Sequence, residues 1–159
     1  MNDVLVAAVG ATQISIERHF AADVESVVKA YLEPDLITRW LGSPEMPMVL
    51  AEMDARPGGG FRLGWDMATG QRMWLSGTFV QMDVAANGDR CIVHTEVFDP
   101  DWTGGEALER VDYLAQGGGT LVRSLITYGT EQVRDTALDG MADGMRASYA
   151  RLDTVLAQG

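Results

Sequence analysis

Alternating hydrophobic and polar residues predict that most of the chain forms strands. In QISIERHF, Ile14, Ile16 and Phe20 share one face of an extended segment. Between about residues 48 and 129, six more segments have strand-like sequences: MVLAEMD, FRLGWDM, MWLSGTFVQMD, CIVHTEVF, LERVDYLA and TLVRSLITY. Most are joined by short glycine-containing turns, and strands joined so tightly are antiparallel neighbours. The pattern predicts a seven-stranded antiparallel sheet.

Hydrophobic residues spaced three or four apart predict two short helices after the first strand. Asp23 is a typical N-cap residue, and Pro34 interrupts the helical pattern that follows it. A second short helix then ends near Trp40. We expect one α+β domain over residues 12–158, preceded by a loose N-terminal segment at residues 1–11.

The C-terminal segment predicts one long amphipathic helix of ~26 residues, or ~39 Å, which is long enough to lie across the sheet. Gly140 and Gly144 fall inside this helix, where they could pack closely against another backbone or leave room for a ligand, and close packing is favoured. The apolar stripe of the helix is Leu138, Met141, Met145, Tyr149, Leu152 and Leu156.

Three consecutive glycines, Gly58 to Gly60, are a candidate phosphate-binding loop. Such a loop usually ends in Lys-Ser or Lys-Thr and leads into a helix. Here FRLGWDM follows, which alternates like a strand. We therefore expect a hairpin turn, held by Asp54 and Arg56.

Charge and cysteine content narrow the class of protein. The net charge is −11, from 23 acidic and 12 basic residues, which disfavours binding to nucleic acid or to anionic membranes. No apolar stretch is long enough to span a membrane. Cys91 is the only cysteine, so the chain forms no internal disulfide, and a cytoplasmic location is expected.

The order of these segments resembles the helix-grip fold of the START and Bet v 1-like (SRPBCC) superfamily. Within it, ISIERHFAADVESVVKAYLEPDLITRWLGSP, DARPGGGFRL, SGTFVQMD, GGGTLVRSLITY and DGMADGMRASYARLDTVL are similar to bacterial relatives of the C-terminal domain of the activator of Hsp90 ATPase. That family commonly has Gly-Trp in its last helix, where this chain has Gly144-Met145. The thioether is expected to leave more adaptable space under the helix.

This resemblance implies a sheet curled around the long helix, with a cavity that binds a small hydrophobic or amphipathic molecule. Which sheet face is concave is left open, as is the alternative that these side chains fill a solid core. The candidate ligand-binding residues are Trp40, Leu63, Trp65, Val93, Thr95, Val97, Tyr128, Met141, Met145 and Tyr149.

Few residues in the sequence have a spacing that indicates catalysis or metal binding. His19 and His94 are the only histidines, and no C-x-x-C or H-x-x-x-H pair is present, so neither a metal nor a cofactor is expected. His94 and Glu96 share one side of a strand, as do Arg62 and Asp66. Either pair could act in acid–base chemistry inside a cavity, but solvated surface pairs are favoured.

Two other functions compete with ligand binding. One is an enzyme of polyketide cyclase or hydratase type that uses His94, Glu96 or Tyr128. The other is an Hsp90-type co-chaperone module that acts through its acidic surface. It is disfavoured because the co-chaperones of the family carry an additional N-terminal domain. A homodimer is compatible with the sequence.

Overall fold

The computed structural model describes residues 3–159, which form an eight-stranded antiparallel sheet and four helices. The strands are β1 (Leu5–Val9), β2 (Gln13–Phe20), β3 (Met48–Met53), β4 (Gly60–Asp66), β5 (Arg72–Val84), β6 (Arg90–Asp99), β7 (Ala107–Gln116) and β8 (Gly119–Thr127). The helices are α1 (Val24–Leu32), α2 (Pro34–Trp40), α3 (Glu131–Leu138) and α4 (Met141–Gln158).

The strand order in the sheet is β1-β2-β8-β7-β6-β5-β4-β3. Strands β3 to β8 follow each other as antiparallel neighbours, as their short turns predict, and β2 pairs with the last of them. The helices are consistent with a helix-grip arrangement, in which α1, α2 and α4 pack together and α1 also contacts β7 and β8.

The prediction of seven strands was wrong, because β1 lies where a loose segment was expected. It pairs antiparallel with β2, with Val6 opposite Ile16. Its sequence, LVAAV, does not alternate, and most of its side chains are exposed at the sheet edge. A strand of this kind lacks the period-two pattern by which the other strands were recognised.

The two short helices begin where the sequence predicts. The Asp23 carboxylate accepts a hydrogen bond from the Ser26 backbone N–H at 2.8 Å, which caps α1. Pro34 then occupies the first turn of α2, where its missing N–H breaks no helical hydrogen bond. Trp40 ends α2 and is buried.

The C-terminal region is two helices, which corrects the prediction of one long helix. Gly140 has a φ of +75° and directly precedes α4, whose 18 residues extend ~27 Å. A left-handed residue cannot continue an α-helix, so the chain changes direction there. The expected close packing is also wrong, because a Cβ atom on Gly140 or Gly144 would meet no atom within 4 Å.

Helix α3 is attached to the N-terminal hairpin through Arg134, a buried residue. Its guanidinium donates hydrogen bonds to the carbonyl oxygens of Gly10 at 3.3 Å and Gln13 at 2.9 Å, beside Asp135. These contacts join α3 to the turn between β1 and β2.

The triple glycine forms the predicted hairpin turn between β3 and β4. Gly58 has a φ of +85°, and a Cβ atom on Gly59 would overlap the Asp54 carbonyl oxygen. The Arg56 guanidinium donates to the Asp54 carboxylate at 2.9 Å.

Within residues 3–159, no helix combines the length and the hydropathy needed to cross a membrane.

Candidate ligand cavity

A cavity of about 250 Å³ lies between the inner face of the sheet and the helices. The sheet contributes mainly apolar side chains, among them Leu63, Leu75 and Ile92. The helices cover it with residues from α1, α2 and α4, such as Leu32 at the end of α1 and Leu41 directly after α2. A cavity with mostly apolar walls favours an apolar occupant.

Six of the ten candidate ligand-binding residues line this cavity. They are Trp40, Leu63, Tyr128, Met141, Met145 and Tyr149. They come from α2, β4, the segment after β8, and α4, which are distant in sequence. The fold therefore brings the two ends and the middle of the domain together at one site.

The prediction that Val93, Thr95 and Val97 on β6 line the cavity is corrected, because they are not part of its wall. Thr95 instead accepts a hydrogen bond from the Thr78 backbone N–H at 3.0 Å, and Val97 is 39% exposed. The alternation of β6 was recognised, but its apolar residues were assigned to the inner face. The residues that line the cavity are the alternate set, His94, Glu96 and Phe98, together with Ile92.

The prediction that Trp65 lines the cavity is also corrected. It is buried, and its indole N–H donates to the Leu41 carbonyl oxygen at 3.2 Å, but it is not part of the cavity wall. The indole therefore joins β4 to the residue that follows α2.

His94, Glu96 and Glu109 form a polar cluster on this apolar wall. The β6–β7 register places His94 directly opposite Glu109, and Glu96 follows two residues along the same face. His94 Nε2 lies 3.0 Å from Glu96 Oε1 and 3.3 Å from Glu109 Oε1. All three side chains are at most 16% exposed, so the expectation of a solvated His94–Glu96 pair was wrong.

Sequence reasoning missed Glu109, although a signal for it exists. In LERVDYLA, Glu109 has the same period-two phase as Val111 and Tyr113, and all three line the cavity. A glutamate in phase with buried residues is unusual, because an unpaired buried carboxylate is costly. Such a residue indicates a partner in the interior.

Burial and mutual contact shift the pKa values of this cluster. Burial, reinforced by the nearby Glu109 carboxylate, raises the pKa of Glu96 to about 8. Burial alone would lower the pKa of His94, but the hydrogen bonds from its ring to both glutamates raise it to about 10. Burial also opposes ionisation of Glu109, yet His94 holds the pKa of that carboxyl at about 2. The directions of these shifts favour a protonated His94 and a single ionised carboxylate in the cluster near neutral pH.

Aromatic and hydroxyl groups surround the cluster. The rings of Phe61 and Phe79 lie with their centroids 5.2 and 6.3 Å from the His94 ring, both nearly perpendicular to it. On the helix side, the Tyr31 hydroxyl donates to the Tyr149 hydroxyl at 3.2 Å. The cavity therefore combines an apolar body with one ionisable region.

The other candidate acid–base pair, Arg62 and Asp66, is separated. The Arg62 guanidinium stacks 4.0 Å above the Trp74 ring, and Asp66 accepts a hydrogen bond from Arg72 at 2.8 Å. None of these four residues is part of the cavity wall.

The arrangement supports two kinds of chemistry. The apolar wall can bury a hydrophobic molecule, and Glu96 with its proton beside His94 can donate a hydrogen bond or a proton to an oxygen of that molecule. The two roles are compatible, since one molecule can fill the cavity and contact the cluster.

Comparison with known proteins places the chain in a family. Residues 21–157 match the model of the family described as Activator of Hsp90 ATPase homolog 1-like protein. No curated protein matches the chain.

Several solved structures share the whole fold. A protein from Rhodobacter sphaeroides is 30% identical, with a TM-score of 0.88 over 99% of this chain and 100% of that one. A protein from Nitrosomonas europaea is 19% identical, with a TM-score of 0.78 over 95% and 97% of the two chains. An AHSA1-like protein from Aeromonas hydrophila is 23% identical, with a TM-score of 0.68 over 89% and 92%. The last two show the likeness of the fold alone.

Proposed function

We propose, since this chain belongs to the Activator of Hsp90 ATPase homolog 1-like family, that it binds a small hydrophobic or amphipathic molecule between the sheet and α4. The observation that carries the proposal is the cavity of about 250 Å³, whose walls are mainly apolar. Six candidate residues found from the sequence line it, which supports their role as ligand contacts.

The size of the cavity limits the ligand. An apolar cavity of about 150 Å³ is enough to hold benzene. A cavity of about 250 Å³ therefore suits a substituted single ring or a short branched chain better than a long acyl chain. Burial of its apolar surface, at about 25 cal/mol per Å², supplies most of the affinity.

The position of the polar cluster indicates how the ligand is oriented. An amphipathic molecule would place its oxygen-containing end at His94 and Glu96 and its apolar end against the apolar side chains of the wall. This orientation satisfies the ligand's polar group inside an environment where an unpaired polar group is costly.

Extraction of the native protein tests the proposal. The protein is purified without detergent, denatured in organic solvent, and the extract is analysed by mass spectrometry beside a mock purification. We expect one compound of matching size at near-stoichiometric amount. An extract that equals the mock, together with no response to a panel of small aromatic and branched aliphatic compounds, overturns the proposal.

The His94–Glu96–Glu109 cluster favours a second candidate, an enzyme of cyclase or hydratase type on the same cavity. Such an enzyme needs ionisable groups that converge inside the cavity, and these three side chains do so. The test is to incubate the extracted compound with the protein in D₂O and to follow its spectrum by NMR. Exchange or conversion that Glu96→Gln abolishes supports this candidate, and an unchanged compound counts against it.

A further inference from the structure

Three atoms that commonly bind metals converge at one point on the cavity wall. They are His94 Nε2, a carboxylate oxygen of Glu96 and a carboxylate oxygen of Glu109, and all lie within 4.8 Å of one another. Both carboxylates approach the same ring nitrogen, at 3.0 and 3.3 Å. A single N–H cannot point along a straight line to two acceptors. At least one of the two contacts is therefore a bent and weaker hydrogen bond.

A cation between the three atoms could be bound by all of them. Ligand atoms about 2.1 Å from one metal ion, at right or tetrahedral angles to each other, lie about 3.0 to 3.4 Å apart. The two distances from His94 Nε2 fall in this range. We propose that His94, Glu96 and Glu109 bind a divalent first-row transition-metal cation, with Zn²⁺ as the representative ion.

Charge supports the same conclusion. With a neutral imidazole and both carboxylates ionised, the cluster carries a charge of −2, which a divalent cation neutralises. Among the residues that line the cavity there is no arginine or lysine to do so. Without a cation, two buried carboxylates beside a single imidazole depend on bound protons for their charge balance, and a divalent cation would replace those protons.

The surroundings hold the cluster in place. All three side chains project from two hydrogen-bonded strands, β6 and β7, so their spacing is set by the sheet register. The Phe61 and Phe79 rings pack against the imidazole, and Ser124 lines the cavity together with Glu109. Groups that orient the ligands in this way typically strengthen a metal site.

The donor set indicates the type of metal. One imidazole nitrogen with two carboxylates suits Zn²⁺, Mn²⁺ or Fe²⁺, whereas Mg²⁺ and Ca²⁺ prefer oxygen ligands alone. Three protein ligands leave at least one coordination position, which faces the cavity because all three residues line it. Sites with this open position bind water or a substrate oxygen, as catalytic zinc sites do.

Calorimetric titration of the metal-free full chain with ZnCl₂ tests the proposal. We expect one saturable site per chain, with affinity weakened at least about tenfold by Glu109→Gln and by Glu96→Gln. Both changes keep the shape of the side chain, and Gln at position 96 resembles the protonated glutamate. The matched controls, Glu52→Gln on the exposed side of β3 and His19→Gln, are expected to bind Zn²⁺ as the unmodified chain does.

A second measurement needs no variant. Anomalous diffraction at the zinc absorption edge, from crystals of the unmodified protein grown with one equivalent of ZnCl₂, is expected to place the cation between the three side chains. A titration without a saturable site, an affinity that both Gln variants retain, or a cation located elsewhere each overturns the proposal. The outcome is separate from that of the ligand extraction, because Zn²⁺ is tested alone.

Discussion

At the residue scale, three side chains change the chemistry of an otherwise apolar cavity. His94 and Glu109 face each other across β6 and β7, and Glu96 lies two residues further along β6. They project to the same face as Ile92 and Val111, which are buried apolar residues. The strands that build the core therefore also position the polar cluster.

We expect Met145→Trp to weaken ligand binding more than it affects folding. Met145 lines the cavity from α4, and an indole at this position would occupy part of its volume of about 250 Å³. Because the side chain is only half-buried, the bulkier residue has room to adjust. The measurement is the affinity for the extracted compound, with the melting temperature recorded in parallel.

Met145→Leu is the matched control, since it nearly conserves volume and apolar character. It is expected to leave both quantities close to those of the unmodified protein. If the Trp variant bound the ligand as tightly as the unmodified protein, Met145 would not line the binding site.

At the residue level, the sequence located apolar cavity residues on α2 and α4 but chose the wrong face of β6. Trp40, Met141 and Tyr149 were placed on the cavity wall because large apolar side chains face the interior. The same rule put Val93 and Thr95 inside and His94 outside, which reverses their positions. Local alternation gives the phase of a strand but not which phase is inward, and the pairing of β6 with β7 is needed to find Glu109.

At the element scale, the joint between α3 and α4 is the main departure from the sequence pattern. Gly140 turns the chain there, yet the apolar residues Leu138, Met141 and Met145 keep a helical spacing across it. A glycine is compatible both with a helix interior and with a left-handed residue that ends one. The hydrophobic stripe could therefore not reveal the break.

Alanine substitutions at the two glycines are expected to act in opposite directions. Gly140→Ala forces a Cβ atom into a φ of +75° and should destabilise by about 1 kcal/mol. Gly144→Ala lies within α4, where a Cβ atom meets no atom within 4 Å, and should stabilise by up to about 1 kcal/mol. Urea unfolding measures both, and destabilisation of equal size by the two changes would refute the assigned break.

Arg134 is expected to matter for the attachment of α3 and of the N-terminal hairpin. In Arg134→Met the apolar side chain keeps much of the packing, but the carbonyl oxygens of Gly10 and Gln13 lose their charged donor. The expected loss is about 1–3 kcal/mol in the free energy of unfolding, measured by urea denaturation.

Arg146→Met is the control for this change, because Arg146 is half-exposed and pairs with Asp3 and Asp143 at the surface. We expect its effect on stability to be small. Faster amide hydrogen exchange in β1 of the Arg134 variant would show that the N-terminal hairpin depends on this contact, and unchanged exchange there would contradict it.

At the scale of the whole molecule, the sheet order follows from short turns over β3 to β8 and from long-range pairing elsewhere. Six consecutive strands joined mostly by short turns have one simple arrangement, and the sequence predicts it. The pairing of β2 with β8 joins residues more than 90 positions apart, with Phe20 opposite Thr120. No local signal in the sequence specifies that pairing.

Ligand binding is expected to stabilise the whole domain, because the cavity contacts strands and helices from all parts of the chain. At a free ligand concentration 100 times the Kd, the gain is about 2.7 kcal/mol. For a domain of this size that corresponds to a rise in Tm of about 5–10 °C. Differential scanning calorimetry of extracted and reloaded protein measures it, and an identical Tm at saturation would argue against binding in the interior.

The placement of the polar cluster on two paired strands has a consequence for how such proteins diversify. None of the three side chains forms a turn, a helix or a backbone strand pairing, so leucine or methionine at these positions would remove the ionisable groups from the cavity and keep the sheet register. Architecture and chemical specificity can thus be inherited separately. Two relatives with superimposable backbones can therefore bind chemically different molecules, depending on the residues at these three positions.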